Sequence, residues 1–367
     1  MRRLSLWLLP IVVLALPACS DDVNPTAPGA PEFGVVSDAP LTVMSRNLYL
    51  GANIDMLLDP SIPFDQAVAA SLQQLTYTNY PVRAQQLALE IATRQPHLVG
   101  LQEVTHYTIH TAGGPVQIPF LPILQQYLAA MGAHYDVAVH QTNVELTFPV
   151  GAGGIIAVTY RDGDAILVRS DVAWSDPAAA HFTNQVQLAV GPISFANLRG
   201  WNAVTAEVDG YSVRFVNTHL EIQPFRPYNE AQARELVALV ADEPLPVIMV
   251  GDFNSAANHD APADKKTASY HTFRNAGFAD LWLREAGSVG GTTCCHAADL
   301  SNAESALNQR IDLVLVRLKS AGFGGRSNVE IIGEDPSDRF DAGGYMLWPS
   351  DHAGVFASMW VAPGLRR

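Results

Sequence analysis

The stretch VIMVGDFNSAANH, residues 247–259, joins an apolar run directly to an acid, an amide and a small hydroxyl. Pro244 and Pro246 introduce β-branched and apolar residues that end at Val250, and Gly251 follows, so the run reads as a buried strand. Asp252 and Asn254 then lie at that strand's end. In α/β sheets ligands bind in the crevice beyond the carboxyl ends of strands, which makes this polar cluster a candidate for chemistry. Asp, Asn, Gly and Ser are also ordinary turn formers, so the stretch alone leaves a plain turn open.

The same pattern recurs along the chain. LTVMSRNLYLG, residues 41–51, begins as an alternating strand and puts Asn47 near its end. Residues 82–95 carry Ala84, Leu87, Ala88 and Ile91 at helical spacing, and Pro96 stops the helix. The strand LVGLQEV, residues 98–104, follows at once with Glu103 at its end. A helix is predicted over 121–131 and strands over 134–140 and 164–170, while the glycine-containing stretch 143–160 reads as a hairpin or loop. WNAVTAEVDGYSVRFVNTHLE, residues 201–221, gives two alternating runs around Asp209-Gly210, a hairpin signal, and the second run ends in Asn217, His219 and Glu221. Residues 230–241 place Ala233, Leu236, Val237 and Val240 on one helical side. RIDLVLVR, residues 310–317, carries one acid, Asp312, and WPSDHAGVFASMWV, residues 348–361, sets Asp351 and His352 before a terminal strand. A buried polar group without a partner costs about 1–3 kcal/mol. Asn47, Glu103, Asn217, His219, Asp252, Asn254, Asp312, Asp351 and His352 therefore point to one shared site.

In order, SRNL, GLQEV, NTHLE, GDFNS, RIDLVLV and SDHAGV span residues 41 to about 361. This ordered set resembles the endonuclease/exonuclease/phosphatase family, which includes pancreatic deoxyribonuclease, apurinic endonucleases, neutral sphingomyelinases and inositol polyphosphate phosphatases. The resemblance implies a four-layered α/β sandwich: two packed mixed, mostly antiparallel sheets flanked by helices, with the active site at one end. It implies that Glu103 is the principal Mg2+ ligand with Asn47 beside it, and that Asp351 supports the metal; Mn2+ or Ca2+ are substitutes. It implies that His352 is the catalytic histidine, that Asp312 fixes its tautomer, and that Asp252 orients or deprotonates the attacking water. It implies that Asn254 holds a phosphate oxygen and that His219 and Asn217 contact the scissile phosphate. The long segment between Asn47 and Glu103 departs from compact members and is read as an added helix or a rim over the site.

The first 18 residues read as an export signal: Arg2 and Arg3, an apolar stretch from Leu4 to Leu16, then Leu-Pro-Ala-Cys, which resembles the lipobox of bacterial lipoproteins. Cys19 is the expected lipidation site, and Ser20 after it favours the outer membrane in a cell with two membranes; without lipidation the protein is secreted. Residues 19–40, rich in Pro, Ala and Gly, read as a tether, and residues 41–363 as the catalytic domain. The chain has 22 Lys and Arg against 36 Asp and Glu, a net charge of −14, and only three lysines, Lys265, Lys266 and Lys319. That disfavours unspecific grip on nucleic acid or anionic membrane, while a metal ion can still supply local positive charge to a phosphate. The expected activity is a phosphodiesterase acting on nucleic acid or phospholipid headgroups. A phosphomonoesterase for inositol phosphates comes next and would use several of Arg83, Arg161, Arg199 and Arg226. A surface-binding lipoprotein without activity is the reading from another class. No protein partner is predicted. Cys294 and Cys295 lack structural zinc spacing and read as a vicinal disulfide or as packed thiols. For a lipid substrate, residues 148–158 and 282–283 are the candidates for an apolar protrusion.

Overall fold

In the computed structural model, residues 40–190, 193–287, 289–318 and 323–361 are described. The export signal, Cys19 and nearly all of the tether lie outside them. Among the described residues no helix is long and apolar enough to cross a membrane.

Alternation of side chains decides the layering. In strand Leu41–Asn47, Val43 points into one apolar cluster and Met44 into another, and Leu98 and Val99 of strand Leu98–Gln102 divide in the same way. Ile248 and Met249 of strand Val247–Asp252 repeat the split on a second sheet. Strands buried on both faces read as continuous apolar runs, which is why these segments stood out in the sequence. Val43, Leu98, Ile166, Phe215, Ile248 and Val314 fill the space between the two sheets.

Helices cover the outer faces. On the first sheet lie α1 (Phe64–Thr78), α2 (Tyr80–Arg94) and α3 (Phe120–Ala130), through Leu75 of α1, Leu87 and Ile91 of α2 and Leu124 of α3. On the second lie α4 (Arg226–Leu239) and α5 (Ser269–Asn275), through Ala233, Leu236 and Phe273. A short helix, α6 (Leu281–Ala286), is capped by Asp280, which accepts from the Trp282 and Leu283 amides. The α2 helix ends where Gln95 turns left-handed, at φ 45°, directly before Pro96. This is the four-layered sandwich expected from the sequence, and the insertion between Asn47 and Glu103 does add a helix, α1.

Register then gathers the polar strand ends. Strands Leu41–Asn47 and Leu98–Gln102 run parallel with Asn47 opposite Gln102, and Tyr211–His219 and Val247–Asp252 run parallel with His219 opposite Asp252. Strand Asp312–Arg317 is antiparallel to Val247–Asp252, so its first residue, Asp312, meets Asp252. Strand Gly354–Val361, antiparallel to Leu41–Asn47, starts at the same end, immediately after Asp351 and His352. Gly251 permits the close pairing there: its φ is +148°, and a Cβ would lie 2.0 Å from the Thr218 carbonyl oxygen.

The stretch 143–160 is a strand pair, not a loop: strands Tyr135–Ala152 and Ile155–Arg169 form a long antiparallel hairpin that shifts register between Val137 and Val139, Thr142 and Val144, and Pro149 and Ala152. A separate small hairpin, Val186–Val190 with Ile193–Asn197, lies outside both large sheets.

Candidate active site

Asp252 is the centre of the site. Its Oδ1 accepts the Asn254 backbone amide at 2.9 Å, while Oδ2 lies 3.4 Å from His219 Nε2, 3.8 Å from His352 Nε2 and 3.4 Å from Asn47 Nδ2. Burial pushes Asp252 up to about 7, against the downward pull of His352.

The two histidines are held in different states. His352 Nδ1 lies 2.8 Å from Asp312 Oδ2, so Nδ1–H donates to the carboxylate and Nε2 faces Asp252. Burial alone would lower His352, but Asp312, Asp351 and Asp252 outweigh it and hold the imidazole well above its ordinary value. For His219, burial first, then Arg199 and His352, push it well below. Arg199 Nη1 donates to His219 Nδ1 at 3.0 Å, and because Arg is always a donor, the neutral ring carries its proton on Nε2, toward Asp252.

Two of the site residues sit on left-handed backbone, Glu103 at φ 56° and Asn254 at φ 47°. Such conformations cost on the order of 1 kcal/mol or more for a residue with a Cβ and persist where surrounding contacts fix them. Glu103 is fixed by the Leu50 amide, 2.7 Å from Oε2, and by Asn47 Nδ2, 3.1 Å from Oε1. Asn254 Nδ2 donates to the Leu220 carbonyl at 3.0 Å. Asp351 is pushed up to about 6 by burial, with Glu103 adding to the rise and His352 opposing it. Ser350 Oγ donates to the Asn47 carbonyl, and a buried Arg46, paired with Glu90 at 2.9 Å, donates to the His352 carbonyl.

Glu103, His219, Asp252, Asn254, Asp351 and His352 all line one open cleft of about 490 Å³. Asn47 and Asp312 lie behind it, both buried, as supports: Asn47 for Glu103 and Asp252, Asp312 for His352. Asn217 corrects the sequence reading. It is fully buried between the sheets, donates through Nδ2 to the carbonyls of Leu101 and Ala165 at 3.0 and 3.2 Å, and accepts from Gln102 Nε2 at 2.6 Å. Its amide ties one sheet to the other and does not face the cleft.

Of the four arginines considered for a polyanionic substrate, Arg199 alone lines the cleft. Arg83 is buried and donates to the Thr78, Leu48, Tyr49 and Pro349 carbonyls, Arg161 pairs with Glu145 at the surface, and Arg226 opens α4 on its exposed side. Two acids escaped sequence reasoning. Asp162 lines the cleft and is raised to about 7 by burial and by Glu103, and Asp164 beside it is raised well above the ordinary range by burial and by Asp162. Their signal was available: two acids flanking Gly163, directly before the apolar run 165–168. Cys294 and Cys295 form a vicinal disulfide on the cleft wall, and Cys294 bridges His352 and Gln309 through its backbone.

Neither candidate lipid-facing segment is a wholly exposed apolar protrusion: Ile156 is 58% exposed, but Val158 is buried and Trp282 and Leu283 are half-buried. Phe148 is 7% exposed and lines the cleft, and Trp282 lies over Gly291, where a Cβ would be 2.3 Å from its ring.

Comparison with known proteins agrees with this geometry. The model of the Endonuclease/Exonuclease/phosphatase family matches residues 52–352, well over half of the chain. None of the curated proteins matches. Among solved structures, a humanized TDP2 from D. rerio is similar at a TM-score of 0.51 and 17% identity, covering 87% of this chain and 98% of that one. An endonuclease/exonuclease/phosphatase family protein from Bacteroides thetaiotaomicron has a TM-score of 0.51 and 20% identity, covering 88% and 98%. D. rerio TDP2 complexed with a single-strand DNA product also scores 0.51, at 17% identity, covering 88% and 99%. These likenesses show a shared fold, and with the family match across the cleft residues they place this chain in the endonuclease/exonuclease/phosphatase family of phosphoester hydrolases.

Proposed function

We propose that the protein is a divalent-cation-dependent phosphodiesterase, with Mg2+ as the working ion and Mn2+ or Ca2+ as substitutes. The observation that carries this reading is the convergence of His219, His352 and Asn47 on one carboxylate oxygen of Asp252 inside an open cleft. Glu103 and Asp351 offer hard oxygen donors suited to Mg2+, and Glu103 adds to the electrostatic cost of charging Asp351. A cation there offsets that repulsion. When bound, it polarises a phosphate oxygen and neutralises charge that develops as the ester breaks.

The side chains divide the remaining work. His219 presents Nε2–H, and the protonated His352 presents Nε2–H, as donors to phosphate oxygens, where preorganised donors contribute most. Asp252 accepts the proton of the attacking water, and its raised affinity for protons suits a base working near neutral pH. Asn254 keeps one amide N–H for a phosphate oxygen, its other being taken by Leu220. Asn47 holds Glu103 and Asp252 at their mutual angle.

We further infer export, with a lipid on Cys19 anchoring the enzyme to the cell envelope, from the basic, apolar and Leu-Pro-Ala-Cys segments in order. The functional test is hydrolysis of plasmid DNA, RNA, sphingomyelin, phosphatidylcholine and inositol hexakisphosphate with Mg2+, with Ca2+ and with chelator. Chelator-sensitive cleavage of a diester is expected. Release of phosphate from inositol hexakisphosphate alone replaces the diesterase with the monoesterase reading, and no cleavage of any substrate favours a binding protein.

A further inference from the structure

The cleft that holds the catalytic residues also has an apolar wall. That wall is built by three segments: α1 of the insertion, with Val68 and Leu72; the long hairpin, with Leu146 and Phe148; and the small hairpin outside both sheets, with Leu188 and Phe195. In the small hairpin the alternation VQLAV puts Val186, Leu188 and Val190 on the less exposed side and Gln187 and Ala189 on the exposed side. Val68, Phe148 and Val190 are 6%, 7% and 4% exposed, yet all three border open space. Apolar side chains turned toward a cavity and continuous with reacting groups describe a ligand pocket.

Charge narrows the occupant. The acidic residues that line the cleft are Asp55, Glu103, Asp162, Glu221, Asp252 and Asp351, while Arg199 and Lys265 are the lysine and arginine side chains among the described residues that line it. Arg199 is already engaged, at 3.0 Å from His219 and 3.9 Å from Glu221. A polyanion needs several cations, and nucleic acid needs a basic track beside its stacking aromatics. One cation and the charged His352, with neutral His219 as a hydrogen-bond donor, serve one phosphate. The rest of the substrate meets hydrocarbon.

We propose that this cleft takes a phosphoester carrying a single phosphate and a hydrocarbon chain, with the chain lying along Leu72, Phe148 and Leu188. This rests on the phosphodiesterase reading for its reaction, though the binding subsite is measurable without turnover. A monomeric amphiphile enters the groove whole; no lipid surface has to be penetrated.

The test is titration calorimetry of the purified protein with methyl-, butyl-, hexyl- and octylphosphonate in Mg2+. Each methylene transferred from water to an apolar site tightens binding about fourfold, and the heat-capacity change grows more negative with length. In Leu72→Gln and Leu188→Gln, with folding checked by circular dichroism, the dependence on chain length is expected to flatten. Affinity independent of length in the unaltered protein overturns the proposal, as does an undiminished dependence in both folded variants. Hydrolysis of methyl 4-nitrophenyl phosphate reads the reaction separately. Its absence together with length-dependent binding removes the diesterase and leaves the subsite, and its presence with length-independent binding does the reverse.

Discussion

Replacing Asp312 with Asn isolates the support of His352 from every other feature of the site. Asp312 Oδ2 is 2.8 Å from His352 Nδ1, both residues are buried at 1% and 5% exposure, and among the described residues Asp312 is the hydrogen-bond partner of that imidazole nitrogen. The variant keeps the shape of the side chain and removes the charge. A hydrogen bond to a charged partner contributes about 1.5–3 kcal/mol, and the imidazolium loses its nearest anion. If His352 acts as a charged donor in the transition state, that energy appears as a fall in turnover of about 10- to 150-fold. Folding should survive, because Asp312 Oδ1 has no hydrogen-bond partner and an amide there gains rather than loses options. The assay is kcat and KM for a chromogenic phosphodiester in saturating Mg2+, beside a thermal melt of each protein. A drop in kcat at unchanged folding is expected. A kcat within twofold of the unaltered enzyme refutes the assignment of His352 as the charged donor.

Glu103→Gln keeps an acceptor for the Leu50 amide at 2.7 Å but turns an NH2 group toward Asn47 Nδ2, placing two donors face to face. The half-saturating Mg2+ concentration should rise at least about 10-fold, and an unchanged metal titration removes Glu103 from the metal site. Gly251→Ala places a Cβ 2.0 Å from the Thr218 carbonyl on a backbone at φ +148°; the melting temperature should fall by about 5 °C or more, and an unshifted melt contradicts the close parallel pairing. His296, stacked on Trp348 at 3.8 Å, is lowered to about 4, mainly by burial. A base lowered by folding leaves stability intact above about pH 6.5 and withdraws it as pH falls toward 4, here by about 2 kcal/mol after discounting for solvent screening. Urea midpoints at pH 7.5 and 4.5 should therefore differ less in His296→Phe than in the unaltered protein, and an equal difference in both excludes His296 as the source.

What the sequence disclosed and what it withheld divide along the distance over which each feature is decided. Strands Val247–Asp252, Asp312–Arg317 and Leu98–Gln102 were legible because they are buried on both faces, so apolar continuity and the abrupt polar residue after it are both local signals. Helix α2 was legible through its period and its Pro96 stop. The long hairpin was legible only as one of two readings, hairpin or loop, because Pro149, Gly151, Gly153 and Gly154 interrupt its alternation and its register shifts at three places. Side-chain roles divide in the same way. Asp252 and Asn254 announce themselves at a strand end, whereas the task of Asn217 is set by Gln102, 115 residues away on the other sheet. An amide at a strand end looks the same in sequence whether it faces a cleft or the neighbouring sheet. Only the register of the opposing strand distinguishes them, and here the two sheets meet so that Asn217 is spent on holding them together while His219, two residues on, lines the cleft.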